Sequence, residues 1–300
     1  MSGWWFEEKQ ERNPYPLILA ALGVVGFTGG AEFFRRLFRN SQLFCPEAEP
    51  LISWDPRDYG FDPERVEEVR FRADDDTLLT GWYCRAADPI GSGLYCHGNT
   101  GNFTKDLAAL RRFVDDGLNV LVFDYRGFGR SEGRPTIRGV VRDAHAAAEL
   151  HERIRPAHLP SLLYGFSLGG AVAAQIVRDH PFDALVLQST FTNLPEMTRT
   201  IFPNLPLHIL AGHDFDTLSI VESLEIPLLV IHGTADEMIP CSMGETLHER
   251  CATARPIEII ENGMHSDLFD IQGDRIVDVI RNLALDLRSQ KADEALGEAS

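Results

Sequence analysis

Beyond residue 60 the chain alternates between two hydrophobic rhythms. Short runs rich in apolar and β-branched residues predict eight strands: VEEVRFR at 66–72, LLTGWYC at 78–84, SGLYC at 92–96, LNVLVF at 118–123, SLLYG at 161–165, ALVLQ at 184–188, PLLVIH at 227–232 and PIEII at 256–260. Segments 105–116, 138–154, 168–179, 242–252 and 273–288 instead repeat their apolar residues every three or four positions, the spacing of an amphipathic helix. Strands alternating with helices imply an α/β fold with a mostly parallel eight-stranded sheet and helices on both faces. Residues 191–225 form the one long insertion after the sixth strand; with Pro195, Pro203 and Pro206 among scattered apolar residues, they predict a small cap. The main domain is expected over 43–289, and the polar run KADEALGEAS that follows, within 290–300, is expected to fray.

A different pattern occupies the start. Residues 13–31 carry no charge, and within the segment 14–34 a helix from near Pro16 to near Phe34 would be roughly 28 Å long, close to the ~30 Å of a bilayer core. Trp4, Trp5 and Tyr15 would serve as interfacial anchors, and Arg35, Arg36 and Arg39 favour a cytoplasmic placement of the main domain. Glu7, Glu8 and Glu11 disfavour a secretory signal. Residues 1–42 are therefore read as an apolar segment and candidate membrane anchor; the competing reading is a helix packed on the domain or on a second subunit.

Charge narrows the partners. The formal net charge is −17. Residues 47–76 hold eleven acids against four arginines, and no Lys or Arg stands between Arg199 and Arg250. Such a surface is a poor partner for nucleic acid, and it would repel a strongly anionic substrate if the second stretch lies near the active site. The five cysteines, Cys45, Cys84, Cys96, Cys241 and Cys251, show neither C-x-x-C spacing nor a disulfide framework, so no metal site is expected. No glycine-rich dinucleotide fingerprint or phosphate loop occurs, and no cofactor is expected.

The candidate chemistry lies at strand ends. GFSLG at 165–169 fits G-x-S-x-G, with an apolar strand before it and the helix-forming GGAVAAQIV after it, the context of a nucleophile elbow. Ser167 is the candidate nucleophile. A serine hydroxyl needs a base, and His265 in ENGMHSDL follows the last strand on a loop returning to the same sheet edge. His97 and His232, each at a strand end before glycine, are read as loop-shaping; His208 and His213 belong to the cap. Asp236 in HGTADEMIP follows an interior strand and can orient the histidine, with Glu237 as the adjacent alternative; Asp267 is read as a loop cap. Two backbone N–H groups should bind the developing oxyanion: Leu168 after the nucleophile, and Asn99, or alternatively Thr100, in HGNTGN at 97–102. DYRGFGRSEG at 124–133 is read as a structural loop, with Arg126 or Phe128 as candidate pocket residues.

Taken together, HGNTGN, DYRGFGRSEG, GFSLGG, HGTADEMIP and NGMH resemble the compact branch of the α/β-hydrolase superfamily that includes abhydrolase-domain proteins and acyl-protein thioesterases. The resemblance spans roughly residues 43–287 and implies a serine hydrolase that cleaves carboxylic esters or thioesters without metal or cofactor. By matching motif it assigns Ser167, Asp236 and His265 as the triad and Asn99 and Leu168 as oxyanion donors. The implied partner is a small acyl ester or thioester. Peptidase or lipase activity is the enzymatic alternative, and a non-catalytic binding or scaffold protein of the same fold is the alternative of another class.

Overall fold

The computed structural model describes residues 43–201 and 214–298. Eight strands form one sheet: β1 (Val66–Arg72), β2 (Leu78–Cys84), β3 (Gly91–Cys96), β4 (Leu118–Asp124), β5 (Ser161–Phe166), β6 (Ala184–Gln188), β7 (Leu228–Gly233) and β8 (Glu258–Ile260). Their spatial order is β8-β7-β6-β5-β3-β4-β2-β1. β2 runs antiparallel to both β1 and β4, and every pair from β4 to β8 is parallel. The order reverses between β3 and β5, so the loops after these strands open onto one crevice at their carboxyl ends, the usual ligand position in open α/β sheets.

Alternation along each strand feeds two cores. On β4, Leu121 and Phe123 face one side while Val120 and Val122 face the other; on β5, Leu163 opposes Leu162 and Tyr164. The first side is covered by α2 (Ile137–Ile154), α3 (Leu168–Ile176), α5 (Thr217–Val221) and α6 (Cys241–Arg250), which contribute Val140, Ala144, Val172, Val221 and Leu247. The second is covered by α1 (Leu107–Asp115) and α7 (Leu268–Glu298), which contribute Leu110, Phe113, Ile276 and Ile280. Burial on both faces explains why the central strands are almost continuously apolar.

One expectation changes. α7, kinked at Gln272, runs to Glu298 instead of fraying beyond 289; Lys291 Nζ, 3.0 Å from Asp183 Oδ2, ties this turn to the body of the domain. The insertion after β6 contains α4 (Leu194–Ile201) and leads into α5. Pro203, Pro206, His208 and His213, like the apolar segment 14–34, lie outside the described residues. Among the described residues, no helix is long and apolar enough to cross a membrane.

The chain that emerges from the N-terminal region is stitched to the loop after β3. Cys45 and Pro46 pair in parallel with Thr100 and Gly101. Cys45 N–H donates to Asn99 O at 2.8 Å, and Glu47 N–H to Gly101 O at 2.9 Å. The Asn102 amide donates to the carbonyls of Glu47 and Glu49, while Phe44 is buried edge-on against Phe128.

Candidate active site

Ser167 stands between β5 and α3 with φ 54° and ψ −121°, a positive φ that is strained for a non-glycine residue. The surrounding residue types make that turn feasible. A Cβ on Gly165 would lie 2.4 Å from the Gly169 carbonyl oxygen, and one on Gly169 only 2.0 Å from that of Cys96. Helix and strand therefore approach at distances that only glycine permits. Ser167 N–H donates to Gln188 O at 2.9 Å, and the Thr190 hydroxyl donates to Ser167 O at 2.7 Å, holding the turn from β6.

The loops after β7 and β8 deliver the other two groups. Ala235 N–H donates to Gly263 O and Thr234 N–H to Ile260 O, so the aspartate and histidine loops are locked together. His265 Nε2 lies 2.9 Å from Ser167 Oγ, and Nδ1 lies 2.8 Å from Asp236 Oδ2. All three residues are buried. Asp236 Oδ1 accepts the N–H groups of Met238 and Ile239 at 2.9 and 2.8 Å. Burial alone would raise its pKa, but the adjacent His232 and His265 imidazoles and the Ile239 N–H outweigh that and hold the carboxyl well below the usual carboxylate range. An ionised Asp236 makes Nδ1 the protonated nitrogen of His265 and leaves Nε2 to accept from the serine hydroxyl.

Asp236, not Glu237, meets the histidine; Glu237 is exposed. Asp267 caps the loop through Oδ1, which accepts Met264 N–H at 2.7 Å. Leu168 opens α3, where first-turn N–H groups have no intrahelical acceptor. Among the described residues, no acceptor engages the N–H of Leu168 or of Asn99. Thr100 is drawn into the pairing with Cys45. His97 lies beneath the loop: its Nδ1 is 2.7 Å from Gly98 O, and its buried ring packs on Tyr125 and Phe128. Burial pushes it down to about 4, so it is neutral there.

Arg126 and Phe128 make structural contacts. The Arg126 guanidinium is held by Asp143 and Asp75, and Phe128 is fully buried against His97. His232, read from the sequence as loop-shaping, is buried and holds the Ile239 carbonyl; its approach to Asp236 Oδ2, at 3.3 Å, is what sequence reasoning missed.

A family model described as "Serine aminopeptidase, S33" matches residues 87–213. Uncharacterized protein Rv2307c of Mycobacterium tuberculosis is 34% identical over 269 residues, covering 88% of this chain and 90% of that protein. The solved esterase Pf2001 of Pyrococcus furiosus superposes with a TM-score of 0.65 at 20% identity, over 79% of this chain and 96% of that one. The chain belongs to the α/β-hydrolase superfamily. This hydrolase is also similar to the lysophosphatidylserine lipase ABHD12 of Danio rerio, 31% identical over 185 residues that span 55% of this chain and 48% of that protein. At 20% identity the esterase shows the fold alone.

Proposed function

We propose that this hydrolase cleaves small carboxylic esters or thioesters through an acyl-enzyme on Ser167. The observation that carries the reading is the continuous chain of contacts from Ser167 Oγ to His265 Nε2, at 2.9 Å, and from Nδ1 to Asp236 Oδ2, at 2.8 Å. Ser167 Oγ attacks the acyl carbonyl as His265 removes its proton. The N–H groups of Leu168 and Asn99 receive the oxyanion, and His265 then protonates the departing alcohol or thiol. Water activated by the same imidazole releases the acid and regenerates the serine. Asp236 stays ionised throughout, keeping the imidazole in its productive tautomer and stabilising its charged form.

A second reading, hydrolysis of lipid-like acyl esters, draws on exposed Met238 and Met264, each beside a triad residue, and on the name of the zebrafish relative. Hydrolysis of p-nitrophenyl esters with short, medium and long acyl chains, compared with an acyl thioester, an aminoacyl amide and a lysophospholipid, separates these readings. The first expects the largest kcat/KM on short or medium esters or thioesters. A preference for the amide or the lysophospholipid contradicts it. The apolar segment 14–34 carries a separate proposal, attachment to a membrane. Co-sedimentation of the full chain, but not of one starting at residue 43, with phospholipid vesicles is the expected result.

A further inference from the structure

His232 is the penultimate residue of β7, and its side chain is fully buried. Its Nε2 lies 2.9 Å from the Ile239 carbonyl and 3.3 Å from Asp236 Oδ2. Neither neighbour can donate to it, since one is a carbonyl and the other a carboxylate, so Nε2 carries the proton. That N–H points at the carbonyl and gives the carboxylate a secondary, mainly electrostatic share. The carbonyl it holds belongs to the residue whose own N–H caps Asp236 Oδ1 at 2.8 Å. One imidazole therefore clamps the 236–239 turn from behind and faces the same carboxylate oxygen that receives His265. Nδ1 has no partner among the described residues and abuts Gly244, where a Cβ would come within 2.5 Å. The ring fits this slot in one orientation.

We infer that His232 is a positioning residue for the reaction: through its Nε2–H it fixes the carboxylate of Asp236 against His265 and withdraws part of that carboxylate's charge from the imidazole. The inference rests on the triad reading above. The titratable and charged groups around Asp236 are His265, on the loop before α7, and Cys241, at the start of α6, with Glu245 and Glu261 beyond the thiol. None of these donates to the Ile239 carbonyl, and that role belongs to His232.

The test compares His232→Leu, which fills space without a donor, with His232→Gln, whose amide N–H reaches the Nε2 position, in the full chain on a p-nitrophenyl ester. His232→Leu is expected to lower kcat about tenfold with little change in KM, the scale of one hydrogen bond. The acid limb of its kcat/KM profile moves to higher pH, because His265 then feels the undivided carboxylate charge. His232→Gln restores most of kcat and returns the limb toward wild type. Packing alone would leave the limb in place and make the two variants equally impaired, and that result overturns the inference, as does a leucine variant within twofold of wild type. If the leucine variant does not fold, the glutamine variant decides: activity and acid limb near wild type support the donor role, and an unshifted limb with tenfold-lower kcat contradicts it. Ser167→Ala serves as the control. If it keeps activity, the triad reading fails; if it is inactive while both His232 variants behave as wild type, only the present inference fails.

Discussion

A Cβ on Gly169 would sit 2.0 Å from the Cys96 carbonyl oxygen and 2.5 Å from that of His97. Backbone, unlike a flexible side-chain tip, cannot yield without moving β3 or the loop that follows it. Gly169→Ala is therefore expected to destabilise the domain by about 3 kcal/mol, at the upper end for overpacking, and urea denaturation measures it. Thiol chemistry offers a second prediction at this scale. Burial raises both the Cys84 and Cys96 thiols to about 12, whereas Cys45 is exposed. A thiolate is the reactive species, so iodoacetamide applied to the native protein near neutral pH should modify Cys45 and spare Cys84 and Cys96 until denaturant is added. Peptide mapping reads the outcome, and early labelling of Cys96 contradicts it.

Among the elements, the stretch from Cys45 to Glu49 holds the loop that carries Asn99, and Asn102 is the knot. Its Nδ2 donates to two carbonyls of that stretch, and its Oδ1 accepts the N–H and hydroxyl of Thr104. Asn102→Ala should cost about 1–3 kcal/mol of stability by leaving buried groups unpaired. It should also lower kcat about tenfold with KM nearly unchanged, because the loop's N–H is then placed less well for the oxyanion. Steady-state ester kinetics and a melting curve check both, and unchanged kcat would dissociate the arm from the site. Little in the sequence announces this arm, because a two-residue pairing between polar segments 55 residues apart has no periodicity. The strands were legible for the opposite reason. Leu121 and Phe123 must face one core and Val120 and Val122 the other, so β4 reads as an unbroken apolar run. The approach of Ser167, Asp236 and His265 was legible as strand-end residues whose loops open on one edge. The donor role of His232 was not, because strand position alone does not reveal which way a ring nitrogen points. Nor was the continuation of α7 past residue 289, where polar composition suggested fraying and Lys291 pairs with Asp183.

For the molecule as a whole, buried ionisable groups pull stability in opposite directions with pH. Burial pushes His97 down to about 4 and His151 to about 3; these groups stabilise the fold above the ordinary histidine pKa, and that contribution is lost as pH falls through the folded values. Asp106 and Asp124 behave inversely. Burial raises them to about 7 and about 8, so their contribution is complete below the ordinary carboxylate pKa and is lost as pH rises through the folded values. Asp124→Asn removes one of the latter titrations. Its stability relative to wild type should therefore improve steadily from about pH 4 to about pH 8, as denaturant titrations across that range would show. A constant difference would mean that Asp124 does not titrate in that window. The proposed chemistry depends on one side chain, Ser167, whose hydroxyl meets His265. The most direct measurement treats the full chain and its Ser167→Ala variant with a fluorophosphonate probe and follows p-nitrophenyl ester hydrolysis in parallel. The account predicts covalent labelling of wild type at Ser167, and in the variant no labelling and a rate lower by on the order of 10⁴-fold or more. Wild type that resists the probe, or a variant that hydrolyses the ester as fast as wild type, would contradict it.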